Sequence, residues 1–377
     1  MSIGLRNPRI DMIRGMSILL VLLHHFNIAY PLSDTTLSGA FGWDAVHAVM
    51  RNGNYGVTMF FVISGYLITS NAARRWPELI GINAWTFYGL RIARILPCLL
   101  LLLVTVNMLA LGGVDIFQNH MAAGTPVSFW VVNLASLTFW MNVLISLHGW
   151  VNYPLGVLWS LSVEEVFYLS FPILCLGLRR ESRLLAFWTV LIIIGPLYRF
   201  AHQGDEADFL YNYFACFDGI AIGCCTALLA RRIPMHGLAT TIPQAVTLAA
   251  MTFLYLYRPI GQTDVLGITA MALGTAVLLV GARHRPSGPI LKHSGSPAFE
   301  WFGRLSYELY LFHLLVLGAM RTLFPPHFIV GNDKLLLLAA FLVLSALLSA
   351  VIATLYAEPL NHLIRRRLVR PVAIVAA

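Results

Sequence analysis

The chain has 377 residues, of which 58% are hydrophobic and 11% charged, against roughly 25% charged in an ordinary soluble domain. With a mean hydropathy of +0.76, it lacks the polar side chains to cover a water-soluble surface, which excludes a soluble enzyme and makes the bilayer its solvent. Its 25 Lys and Arg against 17 Asp and Glu give a net charge of +8, and in a membrane chain their positions matter more than their total.

The N-terminus carries Arg6, Arg9 and Arg14 ahead of an apolar stretch from Ser17 to Phe26. That order resembles a secretory signal, but His24-His25 and the lack of a small-residue cleavage site predict a retained first helix. Apolar runs then follow near 14–30, 54–70, 92–111, 129–147, 155–178, 184–200, 209–229, 238–257, 264–281, 302–323 and 335–356. Between them lie six basic clusters: Arg6/Arg9/Arg14, Arg74/Arg75/Arg91/Arg94, Arg179/Arg180/Arg183, Arg231/Arg232, Arg283/Arg285/Lys292/Arg304 and Arg365/Arg366/Arg367/Arg370. If all six are cytoplasmic they hold 20 of the 25 Lys and Arg, and both termini lie inside.

That orientation needs an even number of crossings, so one run must fail. The weakest is 129–147, with Asn133, Ser136, Thr138, Asn142, Ser146 and His148. It is expected to lie in the outer half of the bilayer or to re-enter, sheltered by protein because irregular backbone is not tolerated against lipid. The expected fold is an all-α, polytopic transmembrane helical bundle of about ten spans. One membrane domain over 1–377 is expected, without internal repeat or appended soluble domain. Cys98, Cys175, Cys216, Cys224 and Cys225 fall in apolar runs with no CxxC pair and read as small core residues.

Charged groups inside spans are functional candidates. Arg14 and His25 are eleven residues apart, which at about 100° per residue brings both to one helix face, roughly 16 Å apart along the axis. His24 points about 100° away. A neutral imidazole accepts a proton near pH 7, which suits a general base; a hydrogen-bonded structural His is the bland alternative. Arg91 and Arg94, at i and i+3 at the expected cytoplasmic mouth, project from one side and can clamp phosphate or carboxylate oxygens. They serve equally well as positive-inside anchors. In WSLSVEEVFYLSFP (159–172), Ser160, Glu164 and Tyr168 form a polar stripe while Glu165 lies on another face. A carboxylate there must be paired or protonated, with Arg14, Arg94 and His25 as natural partners. Glu308 and His313 in GRLSYELYLFH (303–313) give a weaker signal, and Gly219-x3-Gly223 reads as close helix packing.

These segments together resemble acyltransferase family 3, the bacterial integral-membrane acyltransferases. IDMIRG followed by His25 resembles that family's first-helix Arg-x10-His motif. GVTMFFVISGYLIT (56–69), RIARILP (91–97), WSLSVEEVFY (159–168), Phe217-Asp218-Gly219 and SYELYLFH (306–313) follow in the family's order. The chain departs at Thr58, where many members carry Asp, and lacks a proline after His313.

The resemblance implies transfer of an acyl group, usually acetyl from acetyl-CoA, to a hydroxyl of a carbohydrate or related cell-envelope acceptor, in the inner membrane of a bacterium. It carries Arg14, His25, Arg91, Arg94 and Glu164 over as site residues: His25 as general base with Glu164 and Arg14 beside it, and Arg91, Arg94 and Arg14 toward acyl-CoA. A transient acyl-His is a variant of the same chemistry. No resident cofactor or metal is expected, since the 12 His lack ligand spacing and no Gly-rich nucleotide loop occurs; no nucleic acid is expected as partner. The competing class is a transporter or flippase in which the buried Arg, His and Glu line a substrate or proton path.

Overall fold

The computed structural model describes residues 7–120, 127–284 and 297–368. Within them the chain is helical, and the only β pairing is an isolated bridge between Asn119 and Asn152. The helices run α1 (Pro8–Ala29), α2 (Thr36–Phe41), α3 (Trp43–Met50), α4 (Asn54–Arg75), α5 (Ala84–Leu111), α6 (Phe129–Leu137), α7 (Met141–His148), α8 (Leu158–Leu178), α9 (Glu181–Ala201), α10 (Glu206–Tyr211), α11 (Tyr213–Arg232), α12 (Thr241–Tyr257), α13 (Asp264–His284), α14 (Pro297–Arg304), α15 (Ser306–Leu323), α16 (Asp333–Ile352) and α17 (Glu358–Leu368).

Among the described residues, eight helical stretches are long and apolar enough to cross a membrane: α1, α4 with α3, α5, α8, α9, α11 with α10, α13, and α16 continued into α17. The chain is a multi-pass membrane protein. Its outward faces agree, since Val104, Met108 and Leu111 on α5 and Leu336, Val343 and Leu347 on α16 are exposed apolar side chains suited to lipid. The run at 129–147 breaks into α6 and α7, of nine and eight residues. At about 1.5 Å per residue neither can cross a roughly 30 Å hydrocarbon core. The break is sharp because Phe139 turns the chain at φ +60°. Arg6, Arg285, Lys292 and Arg370 of the basic clusters lie outside the described residues.

Helix starts follow local chemistry. Asn7 caps α1 by accepting the Arg9 N–H at 3.0 Å, with Pro8 at the first helical position. Asn83 does the same for α5, accepting from Thr86 N–H at 2.8 Å. Close packing at the bundle centre comes from glycine. A Cβ on Gly223 of α11 would lie 2.1 Å from the Val62 carbonyl oxygen of α4, and one on Gly65 of α4 would lie 2.1 Å from that of Ile220. The two backbones therefore touch, as small-residue membrane interfaces permit.

Two elements end differently from the hydropathy pattern. The 302–323 run is divided at Leu305 into α14 and α15. The last run does not stop near 356: a π-helical turn over Ala353–Ala357 joins α16 to α17. One extra residue per turn in such a segment rotates everything after it. The faces that α14 and α17 turn inward help to build the site.

Candidate active site

Two connected cavities open inside the helices. The narrow one, about 160 Å³, is lined by Arg14, Arg91, Arg94, Ser160, Glu164 and Tyr168, with Ser64 and Tyr310 among the other walls. The wide one, about 730 Å³, meets it at Arg14, Leu67, Asn71, Arg94 and Tyr307, which line both. Four of the five expected site residues thus converge on one space from α1, α5 and α8.

Glu164 is held by hydroxyls. Ser64 Oγ, from α4, donates to Glu164 Oε2 at 3.1 Å and lies 2.7 Å from Tyr168 Oη. Tyr168, one turn beyond Glu164, donates its own hydroxyl to the same carboxylate oxygen. The i, i+4 spacing of the stripe makes the Tyr168 contact local, while Ser64 requires α4 to cross α8. These two neutral hydroxyls are the hydrogen-bond donors seen on Glu164, while Arg14 and Arg94, expected as its ionic partners, line the same cavity. Arg14 is instead 3.7 Å from Asp11 on its own helix. Arg91 lies over the rings of Phe87 and Tyr168 at 5.9 and 5.7 Å, and Arg94 over Tyr307 at 5.9 Å. Such stacking holds a guanidinium in place while leaving its edge donors for an anion.

Glu165, placed by the sequence on another face of the helix, is buried to 7% exposure with its Oε1 unbonded. The 100° separation from Glu164 does take it off the cavity, but into the helix interface on that side. In a bundle this thick, a second face of α8 also meets protein.

His25 lines neither cavity. Its Nδ1 is 2.9 Å from the Val21 carbonyl oxygen and 3.3 Å from His313 Nε2. His313 is fully buried, and its Nδ1 faces the carbonyls of Leu309 and Tyr310 at 3.0 and 2.8 Å. Those carbonyls accept only, so His313 Nδ1 carries the hydrogen and its Nε2 is an acceptor. His25 Nδ1–H then donates to Val21 and His313 together, and His25 Nε2 retains its lone pair. Tyr310 links this pair to the narrow cavity. Its carbonyl binds His313, while its hydroxyl accepts from Ser160 Oγ at 2.7 Å and donates to the Val157 carbonyl at 3.1 Å. His24 turns to the other side, 3.3 Å from the Met50 carbonyl.

Asp218, the acid of the Phe217-Asp218-Gly219 segment, faces neither cavity. Its Oδ2 is 2.7 Å from Arg199 Nη2, with both side chains fully buried, and accepts from Thr269 Oγ1 at 2.6 Å. The cluster pins α9, α11 and α13 together. No group of three or more His, Cys, Asp or Glu suited to a metal occurs among the described residues.

Residues 7–354 match the acyltransferase domain family, Acyl_transf_3. The chain belongs to this acyltransferase family. Among its relatives, a Staphylococcus aureus (strain COL) protein named "Putative O-acetyltransferase" is 25% identical over 336 residues, covering 84% of this chain and 51% of that one. The "Putative peptidoglycan O-acetyltransferase YrhL" of Bacillus subtilis (strain 168) is 26% identical over 333 residues, 82% and 48% respectively. Peptidoglycan O-acetyltransferase OatA of Listeria monocytogenes is 24% identical over 336 residues, 81% and 48%. The chain spans about half the length of these curated relatives. No solved structure matches it.

For this acyltransferase-family chain, sequence reading underrated three contributors. Ser64 sits in a plain apolar helix, and nothing in its spacing points at Glu164. Tyr310 was one aromatic among many. His313 had a visible signal, a His two turns into a span, but only the crossing of α1 and α15 sets it against His25.

Proposed function

We propose that this chain transfers an acyl group, acetyl by analogy with its relatives' names, from acyl-CoA to a hydroxyl of a cell-envelope carbohydrate such as peptidoglycan. The observation that carries the reading is the continuity of the two cavities: an arginine-rich chamber narrows past Arg14 and Arg94 into a slot bounded by Arg91, Glu164 and Tyr310. A polyanionic donor suits the chamber, and an extended thioester arm suits the slot. Counting basic clusters as cytoplasmic puts the chamber on the inner side of a bacterial inner membrane, with His25 farther out.

In the proposed reaction the acceptor hydroxyl oxygen attacks the thioester carbonyl carbon while His25 Nε2 takes the hydroxyl proton. The C–O bond forms, the C–S bond breaks, and the leaving thiolate receives the proton back from His25 as CoA thiol. Arginine donors at the slot would stabilise the tetrahedral oxyanion, a contribution of about 3 kcal/mol for one well-placed donor. Glu164, fixed by Ser64 and Tyr168, would present its carboxyl group to the cavity that Arg14 and Arg94 also line.

The test is purified protein in vesicles with radiolabelled acetyl-CoA outside or inside and soluble peptidoglycan fragments as acceptor. Label should appear as an alkali-labile ester, only with acceptor present and only when donor is on the arginine-rich side. Acceptor crossing the vesicle without acquiring label would instead support the transporter reading.

A further inference from the structure

The two helices that carry the histidine pair continue past it. Along α1 and its C-terminal cap the order is Arg14, His25, Tyr30, and along α15 it is Tyr307, His313, Arg321, so Tyr30 and Arg321 lie on the side of the pair away from the arginine-rich chamber. Tyr30 is fully buried and donates its hydroxyl to the Phe324 carbonyl at 2.7 Å, which ties the end of α1 to the end of α15. The loop before α8 closes on the same place. Tyr153 of that loop lies against Gly318, where a Cβ would stand 3.5 Å from its Cδ1. The Arg321 guanidinium, one turn further along α15, sits 5.0 Å from the centre of the Tyr153 ring, and its charge acts on the hydroxyls of both tyrosines.

Arg321 is singled out by what the comparable cations do. Five Lys and Arg fall outside the six basic clusters: Arg51, Arg199, Arg258, Arg321 and Lys334. Arg199 is paired with Asp218 and Lys334 with Asp34; Arg51 donates to the Leu256 carbonyl at 2.9 Å; Arg258 lies on the exposed ring of Tyr257. Among the described residues Arg321 has no carboxylate partner, and its Nε is buried without a hydrogen bond. A cation in the last turn of α15 suits the helix dipole, but the dipole requires neither an aromatic seat nor a buried, unused donor. The seat is held by its own loop: Trp150 Nε1 donates to the Tyr153 carbonyl at 3.0 Å, and Asn152 Oδ1 accepts from the Leu155 N–H at 3.1 Å. A guanidinium stacked on a fixed ring keeps its edge donors for a carboxylate or phosphate.

Resting on the proposed acyl transfer to a carbohydrate, we infer that Arg321, seated on Tyr153, is a specificity-determining residue for the acceptor: it selects a carbohydrate that carries a negative charge, carboxylate or phosphate, near the hydroxyl to be acylated. Eight residues of α15 separate Arg321 from His313, a rise of roughly 12 Å. An acceptor held by its charge at Arg321 extends inward from there toward His25, while the acyl donor comes from the opposite side. On the positive-inside count this seat is at the outer face, where an envelope carbohydrate arrives.

The experiment uses the full chain in vesicles with acetyl-CoA, and compares soluble peptidoglycan fragments carrying free carboxylates with the same fragments after amidation. A phosphorylated oligosaccharide and its dephosphorylated form make a second arm, which tells phosphate from carboxylate. Wild type should prefer the charged member of a pair by about tenfold or more in kcat/KM, the scale of one charge-assisted hydrogen bond, and the preference should fall as salt is raised. Arg321→Gln should erase it through the acceptor KM, Arg321→Lys should restore part of it, and Arg258→Gln should retain it. A structural role for Arg321 would instead lower transfer to charged and neutral members by one common factor. Thermal stabilisation of wild type by charged against neutral acceptors depends on neither turnover nor variant folding, and the charged members should stabilise at lower concentration. Equal use of charged and neutral acceptors by wild type in both arms, survival of the preference in Arg321→Gln, or one common loss would overturn the inference while acyl transfer itself stands. Absence of transfer to every acceptor would count against the acyltransferase reading, and the stabilisation measurement would then still decide the anion seat.

Discussion

His313 Nε2 lies 3.3 Å from His25 Nδ1, and because the other nitrogen of His313 is committed to backbone carbonyls, the pair leaves His25 Nε2 unprotonated. In the proposed mechanism, a base oriented in this way would depend on its neighbour as well as on itself. His25→Ala is therefore expected to lower transfer by about 10²–10⁴-fold, and His313→Phe, which preserves the ring but loses the acceptor, by about 10–100-fold, the usual scale for an orienting partner. His24→Ala should be mild, since that ring faces Met50. Transfer rates at matched folded protein check all three; wild-type activity in His313→Phe would end its positioning role.

Glu164 and Glu165 should separate cleanly. Glu164→Gln loses the carboxylate that gathers Ser64 and Tyr168, so activity should fall, and Ser64→Ala should follow it in the same direction by a smaller factor. Glu165→Gln keeps shape while removing a buried group whose Oε1 has no partner, so melting temperature should be unchanged or higher. A lower melting temperature for Glu165→Gln together with full stability of Glu164→Gln would reverse these assignments.

The buried Arg199–Asp218 pair is a structural load between helices. Asp218→Ala leaves a guanidinium uncompensated at zero exposure, and a loss of about 3–5 kcal/mol is expected. Replacing both partners with apolar residues should be less damaging than the single change. Detergent-solubilised melting curves of the two singles and the double decide it.

Gly223→Ala would press a methyl carbon to 2.1 Å from the Val62 carbonyl, forcing α4 away from α11 at about 1–3 kcal/mol or more. Gly177→Ala meets nothing within 4 Å and is the matched control. Folded yield of the two in membranes should differ sharply.

Outside the spans, Asp34 joins two loops, accepting from Lys334 Nζ at 2.6 Å and Gly331 N–H at 2.8 Å. The Gly331 and Lys334 hydrogen bonds hold its pKa below the usual carboxylate value. A depressed folded-state pKa contributes stability above the unfolded pKa near 4 and loses it as pH falls through the folded value. Between pH 5 and pH 3, wild type should therefore lose more thermal stability than Asp34→Asn. Parallel curves for the two proteins would show that the clasp contributes nothing.

Hydropathy and charge alone determined that this chain is an all-helical membrane bundle, because in lipid each span must satisfy its own backbone and announce itself by composition. The short helices at 129–148 were legible for the same reason: Asn133, Ser136 and Asn142 interrupt that composition. Arg14, Arg91, Arg94 and Glu164 stood out because charge within an apolar helix is costly and therefore conspicuous. What periodicity cannot carry is which helix faces which. Ser64 beside Glu164, His313 beside His25, and Tyr153 beside Arg321 are contacts between residues remote in sequence, fixed by how α1, α4, α8 and α15 cross. The π turn before α17 shows the limit most directly: one added residue rotates Arg365 toward the wide cavity, and only the packed tertiary structure decides where that rotation points.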